Sequence, residues 1–341
     1  MIRYLISGIN GFVGSHLVDF LNLQEDSEVY GITRWRSNRE NFKYVKGKYI
    51  LLDGDLMDLG SLIRLLDILK PDIIFHLAAQ SYVVSSFNYP NKTISTNTLG
   101  TLNLLEAIRI LKQDPLIHIC GSSEVYGMVD EKNVPIKEDC PFNPGSPYAV
   151  GKIGEDMVAL QYFNSYKIKT IRTRAFSHTG PRRGEVFAAS SFMKQLAAIK
   201  LGLQKNEIYV GNLDSVRTFM DVRDTVRAYW LIVLKGIPGE VYNIGGNETM
   251  TVEKMLEKAM KISGLNPEIK QLERLMRPSD VTLQIPCTDK FVKQTGWQSE
   301  FTFQQTLYEL YHYWLMELTS NPWKHREFNY EKAKKLMMGE E

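Results

Sequence analysis

Cysteine is scarce: Cys120, Cys140 and Cys287 are the three in 341 residues, with no CxxC pair and no histidine nearby at metal-ligand spacing. That excludes a disulfide-stapled fold and a cysteine–histidine centre, so no metal is expected and a reducing cytoplasm is the expected compartment. Long apolar runs are missing as well. The stretch AYWLIVL at 228–234 is far too short to span a bilayer, and glycines interrupt the opening MIRYLISGINGFVG before it reaches the length of a signal-peptide core. The expectation is a soluble protein without a membrane partner. Charge of one sign is also absent, since 41 basic residues nearly balance 39 acidic ones. With no basic stripe interleaved with aromatics, a nucleic-acid partner is not expected. A hydrophobic share of 44% with 23% charged residues is that of an ordinary globular chain, long enough for a large core without staples.

What is present is alternation. RYLIS, EVYGI, YILLD, DIIFHLAA, LIHICGSS and TIRTRAF read as strands. Between them SHLVDFLNL, LGSLIRLLDIL, TLGTLNLLEAIRILK and AVGKIGEDMVALQYF repeat apolar residues every three or four positions, as helices packed on one side do. Strand and helix in turn predict a parallel sheet covered on both faces, with ligands in the crevice where strand order reverses. After Phe176 a polar, turn-rich SHTGPRRGE leads into a helix, VFAASSFMKQLAAIK, and then shorter pieces, which predicts a smaller second lobe. No flexible linker separates the two, so an interwoven boundary is expected.

Gly8, Gly11 and Gly14 stand between the first strand and first helix in GINGFVG. There, missing side chains let backbone N–H groups approach a pyrophosphate at a helix N-terminus. The spacing is GxxGxxG rather than GxGxxG. The second strand ends in GITRWRSNR, where a binder of NAD would carry an acid for the ribose hydroxyls. Arg34, Arg36 and Arg39 occupy that stretch instead, and guanidinium suits the 2'-phosphate of NADP.

In SPYAVGK, Tyr148 and Lys152 are four residues apart and share one face of a helix, where an ammonium can stabilise a phenolate that acts as a base. Upstream, GSSEVYG places Ser122, Ser123 and the carboxylate of Glu124 at a strand end.

These motifs carry a resemblance. With DGDL at 53–56, HLAAQSYV at 76–83, HTGPRRG at 178–184, GNLDSVRTF at 211–219, YNIGG at 242–246 and RPSDV at 277–281, the chain resembles the extended short-chain dehydrogenase/reductases. Among these it is most similar to the GDP-mannose 4,6-dehydratase group, over nearly all of its length. The resemblance implies an α/β protein: a Rossmann-type doubly wound parallel sheet, 1–176 and 213–247, binding NADP, and a smaller interwoven α/β lobe, 177–212 and 248–341, binding the sugar nucleotide. It implies that Tyr148, with Lys152 and Ser122, deprotonates the sugar O4, and that Glu124 handles the proton at C5. The implied cofactor positions are Gly8, Asn10, Gly11, Phe12, Val13, Gly14, Arg34, Arg36, Asp55, Leu56, Leu77, Ala78, Ala79, Gln80, Ser81, His178 and Arg183, besides Tyr148 and Lys152. Those for the substrate are Ser81, Ser122, Glu124, Ser177, Lys194, Arg217, Arg277 and Asp280.

Three positions depart from the group's pattern: Ser122 stands for threonine, Ser177 for asparagine and Lys92 for a tyrosine near the cofactor. They leave the reaction class intact and the sugar open. The implied reaction is NADP-dependent dehydration of a GDP-hexose to its 4-keto-6-deoxy form. The alternatives are a GDP-4-keto-6-deoxy-mannose reductase, a dehydratase of a GDP-heptose, and a non-catalytic NADP sensor, the last opposed by the intact Tyr148–Lys152 pair. A homodimer or homotetramer is expected, through the apolar helices near 100 and 155 or the loop RWRSNRENF, where Trp35 is an anchor candidate.

Overall fold

The computed structural model describes residues 1–320; the end of the segment 248–341 assigned to the second lobe lies outside the described residues. The six expected strands all form: β1 (Ile2–Ser7), β2 (Ser27–Thr33), β3 (Ile50–Asp53), β4 (Ile73–His76), β5 (Leu116–Ser122) and β6 (Thr170–Ala175). Strands β7 (His178–Thr179), β8 (Glu207–Val210), β9 (Val216–Asp221), β10 (Val241–Ile244), β11 (Glu248–Thr251), β12 (Glu268–Gln271) and β13 (Leu283–Gln284) follow. The first six and β10 make one parallel sheet in the order β3-β2-β1-β4-β5-β6-β10. Its central strands are buried on both faces, which is why they read as apolar runs: Leu5 and Ile6, Ile74 and Phe75, and Ile117 and Ile119 are all inaccessible.

Strand order reverses between β1 and β4, so the chain ends of these two strands diverge and leave a crevice between them. Helix α1 (Phe12–Leu21) lies on one face, and α2 (Leu59–Leu69), α5 (Gly100–Leu111) and α6 (Pro147–Tyr166) on the other. Between β4 and α5, α3 (Val83–Asn88) and α4 (Pro90–Ile94) run into a π-helical turn at Ser95–Leu99. The sequence pattern predicts one uninterrupted helix over 98–112. Instead the helical stretch begins earlier and widens, and Asn97 accepts from the Gln80 N–H at 2.8 Å while donating to its carbonyl at 3.2 Å.

The second body has a sheet in the order β11-β9-β13, with β7 also on β9, and a β12-β8 pair. Helices α7 (Ala188–Lys200), α9 (Val252–Ser263) and α11 (Phe303–Ser320) cover it through Met193, Leu196, Met255, Leu310 and Trp314. Strand β9 falls within 213–247, the stretch assigned to the first domain, yet its partners are all in this sheet, whereas α8 (Val222–Lys235) returns to pack on α1. A short α10 (Asp289–Thr295) packs beside α8.

Helix α6 begins where its sequence says it should. Ser146 accepts from the Ala149 N–H at 3.1 Å, and Pro147 fills a first-turn position whose N–H needs no partner. Between two and three turns further in, Asp156 lies buried between two arginines of β6, 2.6 Å from Arg172 Nη1 and 2.8 Å from Arg174 Nε. Replacing Asp156 with alanine would strand two buried guanidinium groups and is expected to cost about 3–5 kcal/mol. The measurement is a fall in the denaturant midpoint at unchanged slope; an unmoved midpoint would show that the triad contributes nothing.

Candidate active site

The crevice opens into a cleft of about 630 Å3 lined from both bodies, a volume suited to a small ligand. At its near end is the glycine turn. Gly8 has φ +75°, and a Cβ there would meet the Ala78 backbone at 2.9 Å; one on Gly14 would meet the Gly8 carbonyl at 2.4 Å. Both glycines are therefore required to bring α1 against the end of β1. No side chain caps α1 and its first turn carries no acid, so its N-terminus is left for an anion. Ser7 Oγ accepts from the N–H groups of Leu77 and Ala78 at 3.1 and 3.2 Å and lies 2.8 Å from His76 Nδ1, which ties the β4 end to the glycine turn.

Arg183 supplies the fit to a dinucleotide. Its guanidinium stands 3.4 Å over the Phe187 ring and 4.8 Å over the ring of Phe12, at the start of α1. Burial lowers it to about 10, although Tyr148 and Tyr229 pull the other way. Its Nε is buried without a partner, and the groups that offset its charge are Tyr148 and Tyr229 rather than a carboxylate. A partly buried cation with an orphaned donor beside an uncapped helix end has the chemistry to seat a phosphate. His178, whose ring lies parallel to Phe12 at 6.1 Å, is held at about 4 by burial and by Arg183, and is neutral.

Further along, Arg34, Asp55 and Leu56 line the cleft, as do Asn10, Gly11, Val13, Leu77, Ala79 and Ser81. Asn10 reaches across to the carbonyl of Asn38 at 2.6 Å and so joins the glycine turn to the arginine loop. Three predicted residues do not line it. Arg36 folds over Trp35 at 4.5 Å, Gln80 turns its amide to the Tyr82 carbonyl, and Lys194 pairs with Glu185.

At the far end, Tyr148 and Lys152 do project from one face of α6 into the cleft, opposite the end of β5. Burial raises the Tyr148 phenol above its ordinary value, against the pull of the Lys152 charge and a hydrogen bond with Ser122. Lys152 Nζ donates to the Cys120 carbonyl at 2.7 Å and to Glu155 at 2.8 Å. Ser122 Oγ also accepts from the Glu124 N–H at 3.2 Å, which starts the short helical turn that aims Glu124 into the cleft. Glu124 Oε1 lies 3.3 Å from Arg277 Nη1 and 4.0 Å from Arg217 Nη1. Asp280 completes the group, 3.5 Å from Arg217 and bonded to Asn212 at 2.6 Å. Ser177 lines the wall nearby.

Sequence reasoning missed two side chains that hold this geometry. Asn97 is a polar position at the head of an apolar-periodic helix. Glu155 falls on the Tyr148–Lys152 face, three residues past Lys152, and that spacing alone would have placed it at the site.

A doubly wound sheet, a glycine turn at the strand-order reversal and a buried tyrosine–lysine pair facing a strand-end hydroxyl define an extended short-chain dehydrogenase/reductase. Within that class the chain belongs to the GDP-mannose 4,6-dehydratase family, whose model, described as GDP-mannose 4,6 dehydratase, matches residues 5–310. It is 32% identical to a GDP-mannose 4,6-dehydratase of Yersinia enterocolitica, over 91% of this chain and 93% of that one. It is 33% identical to a GDP-6-deoxy-D-mannose reductase of Pseudomonas aeruginosa, over 89% and 94%. Among solved structures, RMD from Pseudomonas aeruginosa, complexed with NADPH, superposes with a TM-score of 0.80 at 30% identity, covering 93% of this chain and all (100%) of that one. The dTDP-glucose 4,6-dehydratase DesIV from Streptomyces venezuelae, with NAD and TYD bound, gives 0.84 at 25% identity, over 94% and 99%.

Proposed function

We propose that this protein binds NADP and converts a GDP-hexose of the GDP-mannose type to its 4-keto-6-deoxy form. The observation that carries the reading is Glu124: a carboxylate on the cleft wall, placed by Ser122, on the same strand end as the group that bonds Tyr148. A reductase needs one proton donor, whereas elimination of water needs a second acid–base group beside the first.

Tyr148, with Lys152 and Ser122 favouring its phenolate, takes the proton from the sugar O4. NADP, when bound, would supply a hydride acceptor for oxidation at C4 and a hydride donor for reduction at C6. Once C4 is a ketone the C5–H is acidic, and Glu124 removes that proton and delivers it to the departing C6 hydroxyl, which leaves as water; Glu124, reprotonated from solvent, then protonates C5 as C6 is reduced, and Tyr148 releases the O4 proton to solvent. Arg217 and Arg277 clamp the diphosphate, as forked guanidinium groups do. Arg183 and the N-terminus of α1 take the cofactor pyrophosphate, and Arg34 its 2'-phosphate. In this reading 1–176 and 213–247 serve the cofactor, except that β9 turns Arg217 toward the sugar nucleotide. The sugar nucleotide is otherwise held by 177–212 and the chain from 248 onward. Subunits pair through α5 and α6, whose outer faces leave Ile110, Val150 and Tyr166 exposed. Among the described residues no helix is long and apolar enough to cross a membrane, and a cytoplasmic homodimer or homotetramer fits.

A second reading, reduction of a GDP-4-keto-6-deoxy sugar, is favoured by the comparable identity to the reductase relative. Incubation with GDP-mannose and a catalytic amount of NADP separates them by mass. Loss of one water without cofactor depletion is the expected result. No change with GDP-mannose, but stoichiometric NADPH consumption with the 4-keto sugar, would establish the reductase instead.

A further inference from the structure

One turn beyond Lys152, α6 buries a second acid that the steps above do not use. Glu155 Oε2 lies 2.8 Å from the Lys152 ammonium, with both side chains shut away from water. A buried ion pair of this kind adds little net stability over apolar packing. Its position points to another role. The ammonium has three N–H donors; the Cys120 carbonyl takes one at 2.7 Å and Glu155 another, so the cleft side is left with the third.

We propose that Glu155 is a positioning residue for the acid–base pair: it fixes the Lys152 ammonium and, by offsetting its charge, sets how strongly Lys152 favours the phenolate of Tyr148. The inference rests on Tyr148 being the proton acceptor.

The surroundings allow Glu155 to act on Lys152 and on little else. On its own helix the facing groups are Lys152, Tyr148 and Asp156, the last of which is turned to Arg172 and Arg174 of β6. From β5 come Cys120 and His118, and from β4 His76; burial holds both histidines near 3, and so neutral. The π-helical turn presents neutral Asn97 and Thr98 against Gly151 and Gly154. On α5, Glu106 is bound to Arg109 and to Tyr162, two turns further along α6. Lys92 of α4 is exposed, and α3 has no ionisable residue. Burial lifts Glu155 to about 7 against the pull of Lys152, while Lys152 itself is raised because Glu155 and Tyr148 outweigh its burial. Above pH 7 Glu155 is therefore charged and holds the Tyr148 phenol up; below it the offset is lost.

The test titrates the Tyr148 phenolate by ultraviolet difference, with Tyr148→Phe as the blank, in the wild type, in the neutral variants Glu155→Gln and Glu155→Leu, and in the charge-retaining Glu155→Asp. Both neutral variants are expected to titrate at lower pH, with about tenfold more phenolate at a fixed pH above 7. The acid limb of kcat/KM should follow, and Glu155→Asp should restore wild-type behaviour. Either neutral variant suffices should the other not fold. A uniform loss of rate with the phenolate titration unmoved would overturn the proposal, as would a shift equally present in Glu155→Asp. Retained turnover in Tyr148→Phe would instead overturn the catalytic reading of Tyr148, and the titration would still report on Glu155.

Discussion

Tyr148→Phe lowers kcat by about 10²–10⁴-fold and leaves NADP affinity unchanged, the range ascribed to loss of a positioned general acid–base group. The substitution removes one hydroxyl from a ring that is otherwise buried, so packing and the stability of α6 are preserved. What it removes is the bond with Ser122 and the cleft-lining hydroxyl that the Lys152 charge pulls toward ionisation. Stopped-flow measurement of the rate, with equilibrium titration of NADP as control, checks it. A rate within a few-fold of wild type would move the O4 proton transfer to another residue.

Glu124→Gln is expected to lower product formation by a similar factor, about 10²–10⁴-fold, but at a different step. The amide keeps the size of the side chain and can still face Arg277, so sugar-nucleotide binding should survive. It cannot accept the C5 proton. Two observables therefore part company: formation of the 4-keto sugar persists, whereas loss of water, and the incorporation of solvent deuterium at C5 that accompanies it, disappears. If deuterium still enters C5 at the wild-type rate, Glu124 is not the base, and its contact with Arg277 is purely structural.

The parallel sheet was legible because burial on both faces forces apolar runs, and the glycine turn because its backbone conformation excludes other residues. The tyrosine–lysine pair was legible from helical spacing alone. Strand β10 was visible only as part of YNIGG, since four residues are too few to show a period. The second body was read no more finely than short pieces, because its strands run two to six residues and alternate weakly. Contacts across the cleft were not legible at all. Arg277 meets Glu124 across 153 positions of sequence, a juxtaposition that follows from the packing of two sheets and from no local pattern. Lys194 illustrates the converse: helical position alone did not reveal that Glu185, nine residues upstream, would claim it.

The path of the backbone between the two sheets has a practical consequence. It leaves the large sheet after β6, returns by α8 and β10, and leaves again at β11. No single cut yields a self-contained cofactor module, so grafting a different sugar pocket onto this protein means exchanging several separated loops at once. Selection for a new donor sugar would accordingly proceed by point changes along the rim rather than by swapping one contiguous cassette.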